Sequence, residues 1–352
     1  KLKDGAYPHL DFDTAWDLGS KAIVAYDHLA GTPNEQTLFS LDESGNAIYK
    51  EGGTYLRFHC GTLGAGHGHS DKLHFDLYAH GEDLLVDGGR YTYVPKPERY
   101  EFKDSTAHNT TTVDKKNFTI CMDSWECSKL SAPLGFRTVQ KGPYVALQGM
   151  HQGYLDIGVL PRRTMIILNP NLILICDAFL AQEHHAYQSY LHHNNMGNVS
   201  LIEQGAVYRS LFNEMHIQTL SSQEVTHTLK MTRLSRHYNE LSENKTLVSE
   251  IASEGFASLF TLISIYRSGE VLPVKFKKEL VFSNFKKIQF PDSMIEAVSI
   301  TKGEEAYTIV LAHQEWASPT DTFTADGCVG FGSLVVFNRA RGEQEIGSRL
   351  FS

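Results

Sequence analysis

The sequence lacks several features that mark common classes of protein. No apolar run reaches membrane-spanning length, since the longest candidates, 165–175 and 257–265, are strand-sized or broken by polar residues. Its 41 acidic residues outnumber the 32 lysines and arginines, which gives a formal net charge of -9. Nucleic-acid binding needs an excess of cations, whereas a local basic groove for a polyanion is compatible with an acidic body. We therefore predict neither a nucleic-acid nor a membrane partner.

Cysteine is scarce, and several catalytic motifs are missing. The five cysteines are odd in number and scattered, which argues against a disulfide framework. Cys121 and Cys127 are too far apart for a CxxC motif, and no second pair completes a zinc-ribbon spacing. The sequence has no GxSxG, GxxxxGK[ST] or HExxH pattern. It therefore does not support a hydrolase elbow, a phosphate-binding loop or a helix-borne zinc protease.

Helical periodicity is confined to the start of the chain. In residues 1–36, the segment DFDTAWDLGSKAIVAYDHLAGTPNE fits one or two short helices ended by Gly31 and Pro33. We interpret 1–36 as a helical linker or the remnant of an upstream helical region; an arm packed on the main domain is an equal alternative. Because the chain begins with Lys1 and has no signal-peptide pattern, we expect a fragment or processed product and assign no compartment.

Short alternating or apolar runs, separated by turn residues, fill residues 37–352. The clearest hairpin is RRTMIILNPNLILICDAF, in which the turn 169–171 separates two apolar strands. Many strands at short spacing predict an all-β fold built as a large antiparallel β-sandwich.

Residues able to carry chemistry concentrate between Gly64 and Asp114. His67 and His69 project to the same side if this segment is extended. Two imidazoles on one side can share a metal, or one can bind metal while the other transfers protons. An HxH pattern alone is a weak signal, and either residue is equally well explained as a hydrogen-bonded loop histidine.

Asp87 ends the apolar run DLLVD and is followed by two glycines. Its side chain is interpreted either as a cap of the turn or as a metal ligand. With His69 and His108 it would form a set of two histidines and one carboxylate, with room for water, which suits zinc. Asp71 is expected to make local hydrogen bonds or to orient a histidine. We interpret His74 as a packing or surface residue.

The long segment 88–107, which contains Pro95 and Pro97, is typical of a functional loop. Its charges are nearly balanced, so a solvated loop is the ordinary interpretation. Arginines interspersed with tyrosines would nevertheless suit a sugar that carries a carboxylate or sulfate. A guanidinium group can donate two parallel hydrogen bonds to such an anion. The candidate substrate-binding residues are Arg90, Tyr93 and Arg99.

The stretch GHGHSDKLHFDLYAHGEDLLVDGGRYTY, followed by STAHNTTTVD, resembles the heparinase II/III-like family of polysaccharide lyases, which includes alginate and oligoalginate lyases. The shared pattern is an HxHxD opening, a strand, G..LLVD.G...Y, a loop with arginine, and aHNtv.vD. The residues that carry the resemblance are His67, His69, Asp71, Gly81, Leu84, Leu85, Asp87, Gly89, Tyr93, Arg99, Ala107, His108, Asn109 and Asp114.

The resemblance implies an (α/α) toroid joined to a large antiparallel β-sandwich, with zinc near the cleft. Residues matching His69, Asp87 and His108 would hold the zinc, and Asp71 and Asn109 would support them. His67 would lie in or beside the active site as a catalytic residue. The implied reaction is β-elimination at a uronic acid of an acidic polysaccharide, in which a base removes the C5 proton and an acid protonates the leaving oxygen.

Family members take a catalytic tyrosine and an asparagine or histidine from the toroid, and residues 1–36 are too short to supply one. We therefore predict that 37–352 is the C-terminal domain of a zinc-containing lyase, weak or inactive without its helical partner domain. The alternative is a non-catalytic, zinc-stabilised β-sandwich that binds acidic polysaccharide or a protein. The sequence does not select the glycan.

Overall fold

The computed structural model of the chain describes residues 2–4, 12–32, 36–64, 67–123, 125–314, 321–339 and 348–351. The chain forms two compact units, Lys1–Phe39 and Ser40–Ser352. Among the described residues, no helix has the length and apolar character needed to cross a bilayer.

The first unit contains two short helices, α1 (Phe12–Leu18) and α2 (Ser20–Asp27). Gly19 separates them with a φ of 80°, a backbone conformation that glycine adopts without steric cost. Strands β1 (Leu2–Asp4) and β2 (Ala30–Thr32) pair in parallel. The predicted short helices are thus confirmed, while Pro33 lies outside the described residues.

The remaining elements are a third helix, α3 (Pro97–Lys103), and a long series of strands. The strands are β3 (Leu38–Leu41), β4 (Asn46–Glu51), β5 (Thr54–His59), β6 (His74–Ala79), β7 (Glu82–Leu85), β8 (Thr111–Val113), β9 (Ile120–Cys121), β10 (Cys127–Lys129), β11 (Pro133–Lys141), β12 (Tyr144–His151), β13 (Leu160–Asn169), β14 (Leu172–Leu180), β15 (His184–His192), β16 (Asn198–Ile202), β17 (Gly205–Arg209), β18 (Asn213–Leu220), β19 (Thr226–Leu234), β20 (Ser242–Glu254), β21 (Ala257–Arg267), β22 (Val274–Glu279), β23 (Val281–Ser283), β24 (Ile295–Lys302), β25 (Glu305–Ala312), β26 (Phe323–Ala325), β27 (Cys328–Gly330), β28 (Leu334–Asn338) and β29 (Ser348–Phe351).

The sandwich is built around an eight-stranded antiparallel sheet with the order β11-β12-β13-β14-β21-β18-β17-β16. One of its faces packs on a five-stranded sheet, β22-β24-β25-β28-β29. Leu174 and Phe260 from the large sheet share a buried cluster with Ile300 and Ile309 from the smaller one. Alternating and continuously apolar strand sequences place apolar side chains on the inner faces of both sheets. The predicted antiparallel β-sandwich is thus confirmed.

Two further sheets position the His-rich stretch. One has the order β3-β4-β5-β6-β7, and the other has the order β19-β20-β15-β8. The predicted hairpin at 169–171 is also confirmed, since β13 and β14 pair with Asn169 opposite Leu172.

The structure differs from the sequence prediction in two places. The longest strand, β20, has thirteen residues but was not singled out, because it is rich in serine, glutamate and asparagine rather than in apolar residues. The predicted functional loop 88–107 contains helix α3, with a proline in its first turn. Proline is favoured there because the first helical N–H groups have no intrahelical acceptor.

A buried histidine gives the stability of the sandwich a specific pH dependence. His151 ends β12 against the ring of Phe118, and its Nδ1 accepts a hydrogen bond from the Gly153 amide at 3.1 Å. Burial, with a smaller effect of nearby lysines, lowers the pKa of His151 from 6.5 to about 3. The unfolded chain therefore takes up this proton at a higher pH than the folded chain, and the stability present above pH 6.5 is lost as the pH falls toward 3.

We expect His151→Gln to flatten the fall in unfolding free energy below pH 6.5 by about 1.4 kcal/mol per pH unit, the value for one proton. Urea unfolding at a series of pH values between 7.5 and 5 measures this slope for each variant. His184→Gln, at an exposed position of β15, is the matched control and should leave the slope unchanged. Equal slopes in the wild type and in His151→Gln would contradict the prediction.

Candidate functional site

The His-rich stretch folds so that several of its segments meet beside β6. The strand β7 ends at Leu85, and Asp87 lies two residues further along the chain. Helix α3 and a short 3-10 turn, Ser105–Ala107, then lead to His108. β8 continues this segment at the edge of the sheet that contains β15. Residues that are far apart in sequence therefore share one region.

His108 and Asp87 form the centre of the site. Nδ1 of His108 donates to Oδ2 of Asp87 at 2.7 Å, and the Gly89 amide donates to Oδ1 at 2.8 Å. Nε2 of the fully buried His108 has no hydrogen-bond partner among the described residues. Burial alone would raise the pKa of Asp87, but His108, His74 and the Gly89 amide outweigh it and hold that pKa far below its usual range. The carboxylate is thus ionised. Because Nδ1 of His108 donates to it, Nε2 is the only nitrogen of that ring that can offer a lone pair.

His69 lies beside this pair. Its ring centroid is 5.4 Å from that of His108, and its Nε2 accepts a hydrogen bond from Nη1 of Arg99 at 3.2 Å. Burial, followed by the charge of His108, lowers the pKa of His69 to about 4. His69 is therefore neutral near pH 7, and the lone pair on its Nε2 accepts the hydrogen bond from Arg99.

His74 is closer to Asp87 than the sequence indicated. Its Nε2 lies 3.6 Å from Oδ2 of Asp87, and the ligand atoms of His74, Asp87 and His108 lie within 4.8 Å of one another. The Asn109 amide, however, donates to Nδ1 of His74 at 2.9 Å, so the ring proton is on Nε2, which bonds to Asp76 at 3.0 Å. A neutral imidazole has only one lone pair, and here it is already used. To bind a metal, His74 would therefore have to give up one of these hydrogen bonds.

Asn109 connects the strands around the site. Its side chain donates to the carbonyls of Phe75 and Val86 and accepts from the His192 amide at 2.6 Å. Its own carbonyl accepts from Nη1 of Arg163 at 2.6 Å. The fully buried Asn109 thereby fixes the backbone next to His108.

A second group of side chains surrounds Tyr93. Its hydroxyl lies 2.9 Å from Nδ1 of His67 and accepts from Nη1 of Arg90 at 3.1 Å. Cζ of Arg99 lies 5.0 Å from the centroid of the Tyr93 ring. The structure thus brings His67 together with all three predicted substrate-binding residues. Since Arg99 also contacts His69, it joins this group to the histidine–aspartate group.

Two aromatic residues complete the Tyr93 group. Trp125 stacks on Tyr93 with an interplanar angle of 10° and meets His67 edge-on at 5.4 Å. Tyr238 is a residue that sequence reasoning missed: its hydroxyl accepts from the Tyr93 amide at 3.4 Å, and its ring lies 5.7 Å from Arg90. It belongs to the segment between β19 and β20, which carries no motif.

The side chains of Asp71 and His192 bond to residues other than the proposed ligands. The Asp71 carboxylate is 3.6 Å from Nε2 of His59, so the histidine it meets is not one of the proposed ligands. His192 is buried, with Nε2 bonded to the carbonyl of Thr106 and Nδ1 to the hydroxyl of Thr246. Ala65 and Gly66, which precede His67, lie outside the described residues.

Asp87 and His108 offer donor atoms that suit the zinc implied by the resemblance. Among the described residues, however, the ligand atoms within 4.8 Å of one another are those of His74, Asp87 and His108, and His69 is not in this group. Nε2 of His108 is a buried nitrogen with no hydrogen-bond partner among the described residues, and the Asp87 oxygens keep lone pairs beyond those used for His108 and Gly89. Two imidazoles and one carboxylate form a donor set that zinc favours. Ligation by Nε2 of His69 would require Arg99 to give up its hydrogen bond.

A cavity of about 830 Å³ lies elsewhere, beside Asp114 and His185. Nδ1 of His185 and the Ala186 amide both bond to the Asp114 carboxylate, at 2.9 and 3.0 Å. Nε2 of His185 is buried without a hydrogen-bond partner among the described residues. Because the cavity lining contains none of His67, His69, Asp87 and His108, we place the candidate site at the His67–His108 groups and not in this cavity.

The chain matches a family model over more than half of its length. The family model described as "Heparinase II/III-like, C-terminal" matches residues 33–273. A search of curated proteins finds no match.

Solved structures show the same fold. Heparan sulfate lyase HepC from Pedobacter heparinus has a TM-score of 0.68 at 14% identity, over 87% of this chain and 48% of that one. A heparinase III structure has a TM-score of 0.66 at 16% identity, over 80% of this chain and 43% of that one. The chain thus spans about half the length of these proteins. Since the family model covers more than half of the chain, the chain belongs to the heparinase II/III-like C-terminal family.

Proposed function

We propose that this chain is the zinc-containing sandwich domain of a lyase that cleaves uronic-acid glycans by β-elimination. One observation carries the proposal: Tyr93 joins His67, Arg90 and Arg99 in one group, and Arg99 reaches His69 beside the His108–Asp87 pair. The site thereby combines a residue able to transfer protons, cationic groups and a metal-binding donor set.

His67 is the residue to which we assign proton transfer. Arg90 donates to the Tyr93 hydroxyl oxygen, which leaves the hydroxyl proton for Nδ1 of His67. In β-elimination a base must remove the proton at C5, and an acid must protonate the oxygen that leaves. The exposed His67 ring can exchange a proton with the substrate while Tyr93 holds its orientation.

Arg90 is placed to neutralise the substrate. A uronate carboxylate raises the pKa of the neighbouring C5 proton unless a cation balances its charge. The Arg90 side chain is exposed, and a guanidinium can bind both oxygens of a carboxylate. The buried Arg99 packs on the ring of Tyr93, whose hydroxyl accepts the hydrogen bond from Arg90. When bound by His69, Asp87 and His108, zinc would supply a fixed positive charge near the cleft.

The remaining catalytic groups are expected from an upstream helical domain. The resemblance assigns a tyrosine and an asparagine or histidine to that domain. The chain also spans only about half the length of the solved structures it resembles, which supports a second domain in the parent protein. Heparan sulfate, hyaluronan, chondroitin, alginate and other bacterial uronic polymers all satisfy the proposed chemistry.

The test compares the isolated chain with the parent protein on a panel of these glycans, following the absorbance of unsaturated uronate products. We expect turnover by the parent and little or none by the isolated chain. In the parent, His67→Ala should lower turnover by about 10²–10⁴-fold, the usual contribution of a general acid or base, and leave bound zinc in place. His69→Ala should reduce bound zinc.

His184→Ala, in an exposed part of β15, is the matched control and should change neither turnover nor zinc content. Robust turnover by the isolated chain would refute the dependence on a helical domain. Binding of acidic glycan by a parent that forms no unsaturated product would favour the non-catalytic alternative. Zinc content that survives His69→Ala would refute the assigned ligands.

A further inference from the structure

The hairpin that carries Trp125 also holds two cysteines in direct opposition. Cys121 on β9 and Cys127 on β10 are register partners, and their Sγ atoms lie 3.2 Å apart. Both are free thiols in the structure. Their positions in the sequence excluded a CxxC motif, but the hairpin brings them together.

The backbone around this pair suits a disulfide. Inside the hairpin, the Met122 amide donates to the carbonyl of Glu126 at 2.8 Å, and the Asp123 carboxylate accepts from the amides of Trp125 and Glu126. A residue pair next to a hydrogen-bonded pair in an antiparallel ladder has Cα atoms about 4.5 Å apart. This separation falls within the range of about 4.4–6.8 Å found for disulfides, so closure requires little backbone movement.

Exposure separates these two cysteines from the others. Cys60 and Cys176 are buried, whereas Cys121 and Cys127 are each partly exposed on a surface hairpin. Cys328 is also partly exposed, but no register partner of its strand is a cysteine. Cys121 and Cys127 therefore form the one cysteine pair among the described residues that is both accessible and opposed.

The hairpin is also connected to the candidate site. Trp125 lies between the two cysteines in sequence, stacks on Tyr93 and meets His67 edge-on. We propose that Cys121 and Cys127 form a reversible disulfide that locks the Trp125 hairpin beside His67 and Tyr93. The thiol–disulfide balance of the surroundings would then control how well this hairpin is ordered.

The chemistry balances with a small-molecule disulfide such as oxidised glutathione as the oxidant. The Cys127 thiolate attacks one sulfur of the disulfide, which forms a mixed disulfide and releases one thiol. The Cys121 thiolate then attacks Sγ of Cys127 and releases the second thiol. Burial, with the neighbouring Cys127 thiol, raises the pKa of Cys121 to about 12, which is why we assign the first attack to Cys127.

The test uses the complete chain and alkylation with N-ethylmaleimide. Trypsin cleavage after Lys116 and Lys129 yields the peptide 117–129, which contains both cysteines and no other. In the reduced protein this peptide should carry two alkyl groups. After treatment with oxidised glutathione, it should carry neither label nor glutathione, and dithiothreitol should restore both labelling sites.

Hydrogen exchange tests the proposed locking. In the bridged protein, amides of 120–129 should exchange about tenfold or more slowly than in the reduced protein, because the bridge closes a short loop. Cys328→Ser is the matched control and should keep both the bridge and the slower exchange. Cys127→Ser should show neither.

Three outcomes would overturn the proposal. The first is a peptide 117–129 that keeps both labels after oxidation under conditions in which Cys328 takes up glutathione. The second is a glutathione adduct that accumulates on 117–129 without closing. The third is a bridged protein in which the amides of 120–129 exchange at the same rate as in the reduced protein.

Discussion

Arg163→Ala is expected to lower the free energy of unfolding by about 3–5 kcal/mol, the usual cost of breaking a buried ion pair from one side. Arg163 and Asp177 are register partners on β13 and β14, and both are almost completely buried. Nε and Nη2 of Arg163 donate to the two carboxylate oxygens at 2.7 and 2.8 Å. Removing the guanidinium would leave the Asp177 charge in the core without a counter-charge.

The same substitution would also loosen the candidate site. Nη1 of Arg163 donates to the carbonyl of Leu73 at 2.8 Å and to the carbonyl of Asn109 at 2.6 Å. These residues directly precede His74 and follow His108. Arg163→Ala removes the donor for both carbonyls. We therefore expect His74 and His108 to become less ordered, in addition to the fall in global stability.

Urea unfolding of wild type, Arg163→Ala and the double variant Arg163→Met/Asp177→Leu separates these effects. The double variant removes both charges and should recover most of the stability lost through the uncompensated carboxylate. Lys115→Ala is the control for a surface pair, since Lys115 lies 3.3 Å from Glu250 with two thirds of its side chain exposed. It should cost at most about 1 kcal/mol. A cost of that size for Arg163→Ala would contradict the prediction.

Asp87→Ala is expected to have the largest effect on the proposed zinc site. The Asp87 carboxylate is both a proposed ligand and the group that holds Nδ1–H of His108 at 2.7 Å. Its removal would take away one donor and leave His108 free to change its orientation or tautomer. Losing a group that orients a metal ligand typically costs about 10–100-fold in affinity, and the loss of a ligand should add to this.

Zinc affinity can be measured by competition with a chromogenic chelator, on the isolated chain and without reference to turnover. We expect affinity to fall by on the order of 100-fold or more for Asp87→Ala. Asp76→Ala is the matched control: this carboxylate bonds to His74 at 3.0 Å but is not a proposed ligand. Zinc binding that survives Asp87→Ala but is lost in Asp76→Ala or His74→Gln would contradict the assignment. It would show that His74 and Asp76, and not Asp87, hold the zinc.

Several features of the fold could be predicted because they depend on local pattern. The turn at 169–171 separates two apolar runs, and such a pattern has one common solution, an antiparallel hairpin. Alternation elsewhere predicted strands and hence a β-sandwich. The strands β19 and β20 were not predicted because polar residues interrupt their apolar pattern, although the centre of β20 is buried. Helix α3 was not predicted because its seven residues are too few to show a helical period.

The candidate site was predictable only in part. The spaced motif selected His67, Tyr93 and Arg99, and the mixture of arginines and tyrosines in the loop selected Arg90. The structure brings these residues together around Tyr93. The position of His74 next to Asp87 was not predictable, because alternation gives the face of a strand but not the partner that packs on it. The zinc ligands themselves stay a prediction.

The sequence by itself determined the fold class, the family and the stretch that carries the chemistry, because these depend on periodicity and on short motifs. Only the tertiary structure decided which atoms meet. Arg163 reaches the Asn109 carbonyl across 54 positions of the chain, and Tyr238 reaches Tyr93 across 145. Contacts over such separations depend on how sheets pack on one another, a three-dimensional result that residue spacing does not contain.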